Sequence, residues 1–188
     1  MKTNNRVFLF IAGLILFSSC VQPVSHDKEV TYFITIATEM NNTTSIVNDF
    51  WHEAFEATKT AQQNQDMKLD SSYINTLNKS YQISTLALSN SIEKLSTVEE
   101  IDPSINLKER TLTHLKDIKR LQESALPVVI KLLGTGLGNL TDKERESFEE
   151  FKIKGGELQA TSDELKKLAF DFQDQHKITG EELAKYGL

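Results

Sequence analysis

The chain has 188 residues and a formal net charge of −6, with 27 acidic against 21 basic side chains. That acidic balance argues against binding to nucleic acid and against electrostatic adhesion to anionic lipid. The single cysteine excludes a disulfide within the chain, and only three prolines and eight glycines leave a composition that favours helices.

The first twenty residues have the layout of a secretory signal. Lys2 and Arg6 form a short positive segment, and eleven uncharged, mostly large apolar residues follow at 7–17. At a rise of about 1.5 Å per residue, this run covers about half of a ~30 Å hydrocarbon core, so we do not expect a permanent transmembrane helix. Ser18 and Ser19 then precede Cys20, the only cysteine.

This segment resembles the lipobox of bacterial lipoproteins, in which a signal peptidase cleaves before the cysteine and the cysteine sulfur carries a diacylglycerol. The family pattern prefers leucine three residues before the cysteine, where this chain has Phe17, and Leu16 lies one place further back. The resemblance implies a signal peptide at 1–19 and lipid attachment at Cys20, which would consume the unpaired thiol. Val21 replaces the aspartate that retains some lipoproteins at the inner membrane, which favours the outer membrane of a Gram-negative bacterium.

Removing 1–19 removes two basic side chains and no acidic one. The remaining 169 residues carry 19 basic and 27 acidic side chains, a net charge of −8. That length is sufficient for one domain with a sizeable core. Pro23 and its polar neighbours have no periodicity to bury, so we expect a lipidated cysteine and tether at 20–28 and a folded domain at 29–188.

Apolar residues recur at three- and four-residue spacing along the domain, which predicts amphipathic helices. The first helix covers 29–65, although the β-branched residues at 30–36 are also compatible with a strand. The second covers 71–99 after an N-cap at Asp70. The third is expected to begin at Pro103. Proline has no backbone N–H, but an N–H in the first turn of a helix has no partner within the helix, so nothing is lost there.

Turn and capping signals define the rest of the third helix and the fourth. Pro127 should kink the third helix, and the glycines at 134–138 should end it. A capping box over Thr141–Glu144 opens the fourth helix, which ends near His176. In it, Gly155–Gly156 predicts a bend or a close helix contact.

A second capping box over Thr179–Glu182 opens a short turn at 181–186. Four helices of roughly 30 residues joined by short turns make neighbours antiparallel. The sequence therefore predicts an all-α fold, an up-down-up-down four-helix bundle with a short C-terminal helical turn.

The domain lacks the sequence patterns of known catalytic and cofactor sites. The glycine run at 134–138 does not fit G-x-G-x-x-G, and no serine lies in G-x-S-x-G or S-x-x-K. Only Asp49-x-x-His52 approaches the Glu-x-x-His pattern of di-iron bundles, so we interpret His52 as a helix-surface residue. The sequence predicts no metal, no cofactor and no enzymatic activity.

Aromatic residues are dense on the first helix and could meet those of the fourth: Tyr32, Phe33, Phe50, Trp51 and Phe55, against Phe148, Phe151, Phe170 and Phe172. Core packing is the simpler interpretation. An apolar groove for a lipid-like or peptide ligand is the alternative, with Phe50, Trp51 and Phe55 as its contact residues.

The folded part is similar to the helical-bundle lipoproteins of Gram-negative envelopes, a resemblance that implies no activity. We expect a non-enzymatic lipoprotein on the periplasmic face or the cell surface, held to the membrane by acyl chains on Cys20. Its bundle would bind an envelope or extracellular protein or another envelope component. The alternative is a small-molecule or metal carrier that uses an aromatic-lined bundle core.

Overall fold

The structure is a computed structural model that describes residues 24–64, 68–136 and 141–188. Every regular element within these ranges is a helix, which confirms the all-α prediction. The predicted signal peptide and Cys20 lie outside the described residues. The helices are α1 (His26–Gln63), α2 (Ser71–Ser96), α3 (Leu107–Thr135), α4 (Asp142–His176) and α5 (Gly180–Ala184).

α1 begins three residues earlier than the sequence predicts. Ser25 has extended backbone geometry, and its carbonyl oxygen accepts from the N–H groups of Lys28 at 2.9 Å and Glu29 at 3.1 Å. Asp27 and Glu29 place negative charge in the first turn, where the helix dipole favours it. His26 to Lys28, assigned to the tether from the sequence, therefore belong to the helix.

The predicted caps of α2, α4 and α5 are confirmed. The Asp70 carboxylate accepts from the N–H of Tyr73 at 2.9 Å. In both capping boxes the threonine hydroxyl accepts from the N–H three residues on, at 3.3 Å, and the glutamate carboxylate accepts from the threonine N–H. These reciprocal bonds satisfy N–H groups that a helix start otherwise leaves unpaired.

The predicted start of α3 at Pro103 is wrong, since the helix begins at Leu107. The Asp102 carboxylate accepts from the N–H of Ser104 at 2.9 Å and from its hydroxyl at 2.5 Å, which folds this stretch into a turn. Asn106 then enters the helix with a left-handed backbone, φ 57°. Asparagine adopts that conformation more readily than most residues.

Two glycine predictions have different outcomes. α3 continues through Pro127 and ends at Thr135, and the N–H of its C-cap Gly136 donates to the Leu132 carbonyl at 2.8 Å. Residues 137–140 lie outside the described ranges. A close helix contact at Gly155–Gly156 is wrong, because a Cβ added at either glycine would meet nothing within 4 Å. α4 runs unbroken through both.

Each long helix packs chiefly against the next one in the chain. One core cluster joins the first half of α1 to the end of α2, the start of α3 and the end of α4, with Phe172 fully buried. A second joins the later half of α1 to the start of α2 and the later half of α3. None of the described side chains of α4 before Leu165 is buried. α4 therefore contributes its C-terminal part to the core.

Candidate functional site

Within the described ranges, a connected group of polar side chains lies where α1 and α3 begin and α4 ends. We call it the end cluster and define it as His26, Glu29, Tyr32, Glu100, Asp102, Ser104, Lys108, Gln175, His176 and Glu182. It brings together α1, the connection between α2 and α3, the start of α3, the end of α4, and α5.

His176 lies between two carboxylates. Its Nδ1 is 2.9 Å from Oε1 of Glu29 and its Nε2 is 3.0 Å from Oδ2 of Asp102. Each ring nitrogen therefore lies within hydrogen-bond distance of a carboxylate oxygen. The ring also stacks on Phe172, with centroids 4.1 Å apart, and its side chain is only 13% exposed. His176 thus joins α4 to α1 and to the turn before α3.

Asp102 is buried and almost completely hydrogen-bonded. Burial raises the pKa of the Asp102 carboxyl, but bonds from Ser104, His176 and the backbone together outweigh it and hold that pKa below its usual value. Gln175 Nε2 donates to Oδ2 at 2.6 Å. The carboxylate therefore stays charged and fixes both the turn and the end of α4.

His26 connects the start of α1 to α5. Its Nε2 lies 2.8 Å from the Glu182 carboxylate and its Nδ1 lies 3.5 Å from Glu29. The bond to Glu182 is the main reason that the pKa of His26 is raised, although burial opposes it. Bonds from the N–H and hydroxyl of Thr179, with one from His26, lower the pKa of Glu182 to about 2.

Tyr32 supplies a third link at the same end. Its hydroxyl donates to Oε1 of Glu100 and accepts from the N–H of Lys108 at 3.1 Å. Burial and the neighbouring Glu100 carboxylate raise the pKa of Tyr32, so the phenol is neutral. The Lys108 ammonium donates to the Val98 carbonyl at 3.1 Å, which joins the start of α3 to the residues just after α2.

The end cluster does not have the geometry of a nucleophilic site. The Ser104 hydroxyl donates to Asp102 instead of to an imidazole, and a carboxylate occupies each nitrogen of His176. No ring nitrogen is therefore left to accept a proton from a serine, as a catalytic triad requires. Among the described residues no group of three or more His, Cys, Asp or Glu side chains has the geometry to hold a metal. The contacts of the end cluster instead connect separate segments of the chain.

No known protein family, curated protein or solved structure matches this chain. None of the helices in the described ranges is both long enough and apolar enough to span a membrane.

The three predicted contact residues of α1 do not share one surface. Phe50 is 2% exposed and packs in the second core cluster, with its ring centroid 6.0 Å from that of Tyr81. Trp51 is half-buried, and Phe55 is 59% exposed with the Lys59 ammonium 4.4 Å from its ring centroid. Phe50 thus belongs to the core, whereas Phe55 belongs to the surface.

Among the described side chains, the expected meeting of aromatics from the first and fourth helices occurs at Phe172. Phe172 packs against Tyr32 and Phe33, at centroid distances of 5.2 and 5.9 Å. Phe170 is 66% exposed, and the side chains of Phe148 and Phe151 lie outside the described residues. The predicted contact between the two aromatic groups is therefore confirmed for Phe172.

Sequence reasoning identified none of the end cluster's ion pairs. His176 has no acid three residues before it in the sequence, and its carboxylate partners lie in distant parts of the chain, on α1 and before α3. The single local signal was Asp102 before a proline and a serine, which indicates a turn and not a histidine partner. His52, by contrast, is exposed, as the surface interpretation predicts.

Proposed function

We propose that the chain is an exported lipoprotein, cleaved before Cys20 and held by acyl chains to the outer membrane of a Gram-negative bacterium. The observation that carries this proposal is the order of a positive segment, an apolar run, Ser18-Ser19 and the chain's only cysteine. Two or three acyl chains suffice for stable anchoring, because each buried methylene adds about 0.8 kcal/mol.

We further propose that the helical domain is a non-enzymatic module that binds a protein or another envelope component. The end cluster supports this, since its histidines are bonded to carboxylates within the protein. The net charge of −8 after cleavage disfavours nucleic acid and anionic lipid as partners. Ile83 and Leu86, each 60% exposed, lie three residues apart on α2 and present neighbouring apolar side chains to a partner.

The arrangement that we propose for this module is an up-down-up-down four-helix bundle. The packing of each long helix against the next one along the chain supports it. So does the shortness of the connections, since short loops make neighbouring helices antiparallel.

Lipidation is tested by labelling cells that express the full chain with radioactive palmitate. The native chain should incorporate the label and sediment with the outer membrane, whereas Cys20→Ala should be unlabelled and should not accumulate there as a processed form. A Ser19→Ala variant keeps a small residue before the cysteine and serves as the matched control. Equal labelling of the native and Cys20→Ala chains would contradict the anchor.

Partner binding is tested separately, by placing a photo-cross-linking residue at Leu86 or at Lys116, an exposed position on α3. In intact cells we expect a discrete cross-linked product from position 86 that the Lys116 control does not give. The absence of any such product under native expression would count against α2 as the binding surface.

A further inference from the structure

A groove of about 200 Å³ lies between the first half of α3 and the middle of α4. Among its lining residues, Asn106, Arg110 and His114 belong to the α3 side, and Thr161, Glu164 and Leu165 belong to α4. Clefts for drug-sized ligands usually measure about 300–1,000 Å³, so this groove suits a smaller molecule. Its lining shares no residue with the end cluster or with the predicted aromatic residues of α1.

His114 gives the first indication of a ligand. Its side chain is only 4% exposed, and its Nδ1 is buried without a hydrogen-bond partner. Burial lowers the pKa of His114, although Asp117 opposes the shift, so the ring is neutral near pH 7. A neutral imidazole has one donor and one acceptor, and buried polar atoms in folded proteins are nearly always paired. A polar ligand that reaches the ring from the groove would supply a partner.

The charged side chains of the groove give the second indication. Arg110 on α3 and Glu164 on α4 both line it, and neither forms an ion pair with a described residue. The other carboxylate at the groove, that of Glu109, is paired with Lys108 at 2.8 Å. The groove therefore presents one available cation and one available anion from facing helices, next to the apolar side chains of Leu165 and Leu168.

We propose that this groove binds a small zwitterion, with the ligand's carboxylate on Arg110, its ammonium on Glu164 and a hydrogen bond to His114. A simple anion would be repelled by Glu164 and a simple cation by Arg110, while an uncharged polyol would leave both charges without a counterion. Free amino acids and short peptides share the required chemistry. The proposal is independent of the lipid anchor, so either can fail without the other.

The test is an NMR titration of the full chain, labelled with nitrogen-15 and held in detergent micelles. The probes are glycine, glycylglycine, acetate, methylammonium and glucose, and the readout is the ring nitrogens of His114. We expect saturable shifts with glycine or glycylglycine at a Kd at least about tenfold lower than for acetate or methylammonium. The probe that saturates at the lower concentration distinguishes a free amino acid from a peptide.

Two substitutions connect the binding to the proposed contacts. Arg110→Gln and Glu164→Gln should each weaken it by about tenfold or more, since each removes a charge-assisted bond. Both side chains are exposed, so the variants should keep the native helical spectrum. The matched control is Arg120→Gln, because Arg120 lies on the same helix, is 80% exposed and pairs with Asp117 at 3.3 Å. The Arg120→Gln variant should bind the zwitterion with the same affinity as the native chain.

Several results would overturn the proposal. One is the absence of saturable shifts with both glycine and glycylglycine. Saturation by acetate with the same Kd as glycine would assign an anion site, and saturation by glucose would assign a polyol site. Unchanged affinity in both Arg110→Gln and Glu164→Gln would show that the zwitterion binds elsewhere.

Discussion

At the scale of single residues, the Asp102 carboxylate joins the turn before α3 to the end of α4. It bonds to the turn at Ser104, to Gln175 and to His176, which in turn contacts Glu29 on α1. Removing this buried carboxylate would be costly, because the buried groups that donate to it would be left without a hydrogen-bond partner. We therefore expect Asp102 to contribute more to the stability of the fold than any exposed ion pair does.

Asp102→Ala should therefore lower the free energy of unfolding by about 3 kcal/mol. The measurement is urea unfolding followed by circular dichroism, with Asp117→Ala as the control. Asp117 pairs with Arg120 at the surface and should lose less than about 1 kcal/mol. Equal losses in the two variants would show that the end cluster contributes no more than an ordinary surface pair.

His26 predicts a dependence of stability on pH. Its pKa is raised in the folded protein by the bond to Glu182, so its stabilising contribution is complete below the unfolded value of about 6.5. The contribution is lost as the pH rises through the folded pKa. Asp102, whose pKa is lowered, behaves oppositely: its contribution is lost as the pH falls through that folded pKa.

The melting temperature, measured between about pH 6 and pH 9, should therefore fall less in His26→Gln than in the native chain. His52→Gln is the control, because His52 is an exposed histidine of the same helix that forms no ion pair with a described residue. Identical pH profiles for the native chain and His26→Gln would contradict the role of the pair with Glu182.

At the scale of helices, local signals predicted the ends of the elements where the partners are neighbours in sequence. Asp70, Thr141 and Thr179 all cap helices as expected, because each bonds to a group three residues away. The start of α3 was missed because Asp102 bonds to Ser104, Gln175 and His176 and so stabilises a turn before the helix. An aspartate before a proline can either start a helix or form a turn, and only the tertiary contacts distinguish the two cases here.

The glycines of α4 give a prediction at this scale. Gly155 and Gly156 lie inside a helix with open space around the missing side chains, and glycine costs about 1 kcal/mol relative to alanine at such positions. Gly155→Ala and Gly156→Ala should each raise the free energy of unfolding by up to that amount. Gly136 has φ 110°, a conformation that alanine adopts only with strain, so Gly136→Ala should lower the free energy of unfolding and serves as a control of opposite sign. Destabilisation by the α4 substitutions would reveal a packing role for these glycines.

At the scale of the whole molecule, the spacing of apolar residues predicted which face of each helix is apolar. It did not predict which part of a helix is buried against its neighbours. α4 has the same apolar spacing along its length, yet its described buried side chains begin at Leu165. The sequence could not show this, because burial depends on which neighbour lies alongside. The same reason explains why the end cluster and the groove at His114 were not found from residue spacing.

Native-state hydrogen exchange should record this asymmetry. Amides of α4 from 153 to 160, where no side chain is buried, should exchange through openings of lower free energy than those of α3 from 112 to 130, which carry many buried side chains. Peptides of both helices are compared within the same sample, so conditions are matched internally. Equal protection in the two segments would mean that the first half of α4 is held as firmly as α3.

The most direct test of the account concerns the state of Cys20. The full chain is expressed in a Gram-negative host, purified from the membrane fraction and analysed by mass spectrometry of the intact protein and of its N-terminal peptide. The account predicts a mature chain that begins at Cys20 and carries a diacylglycerol on its sulfur. A chain cleaved elsewhere, or one with an unmodified thiol at Cys20, would contradict it.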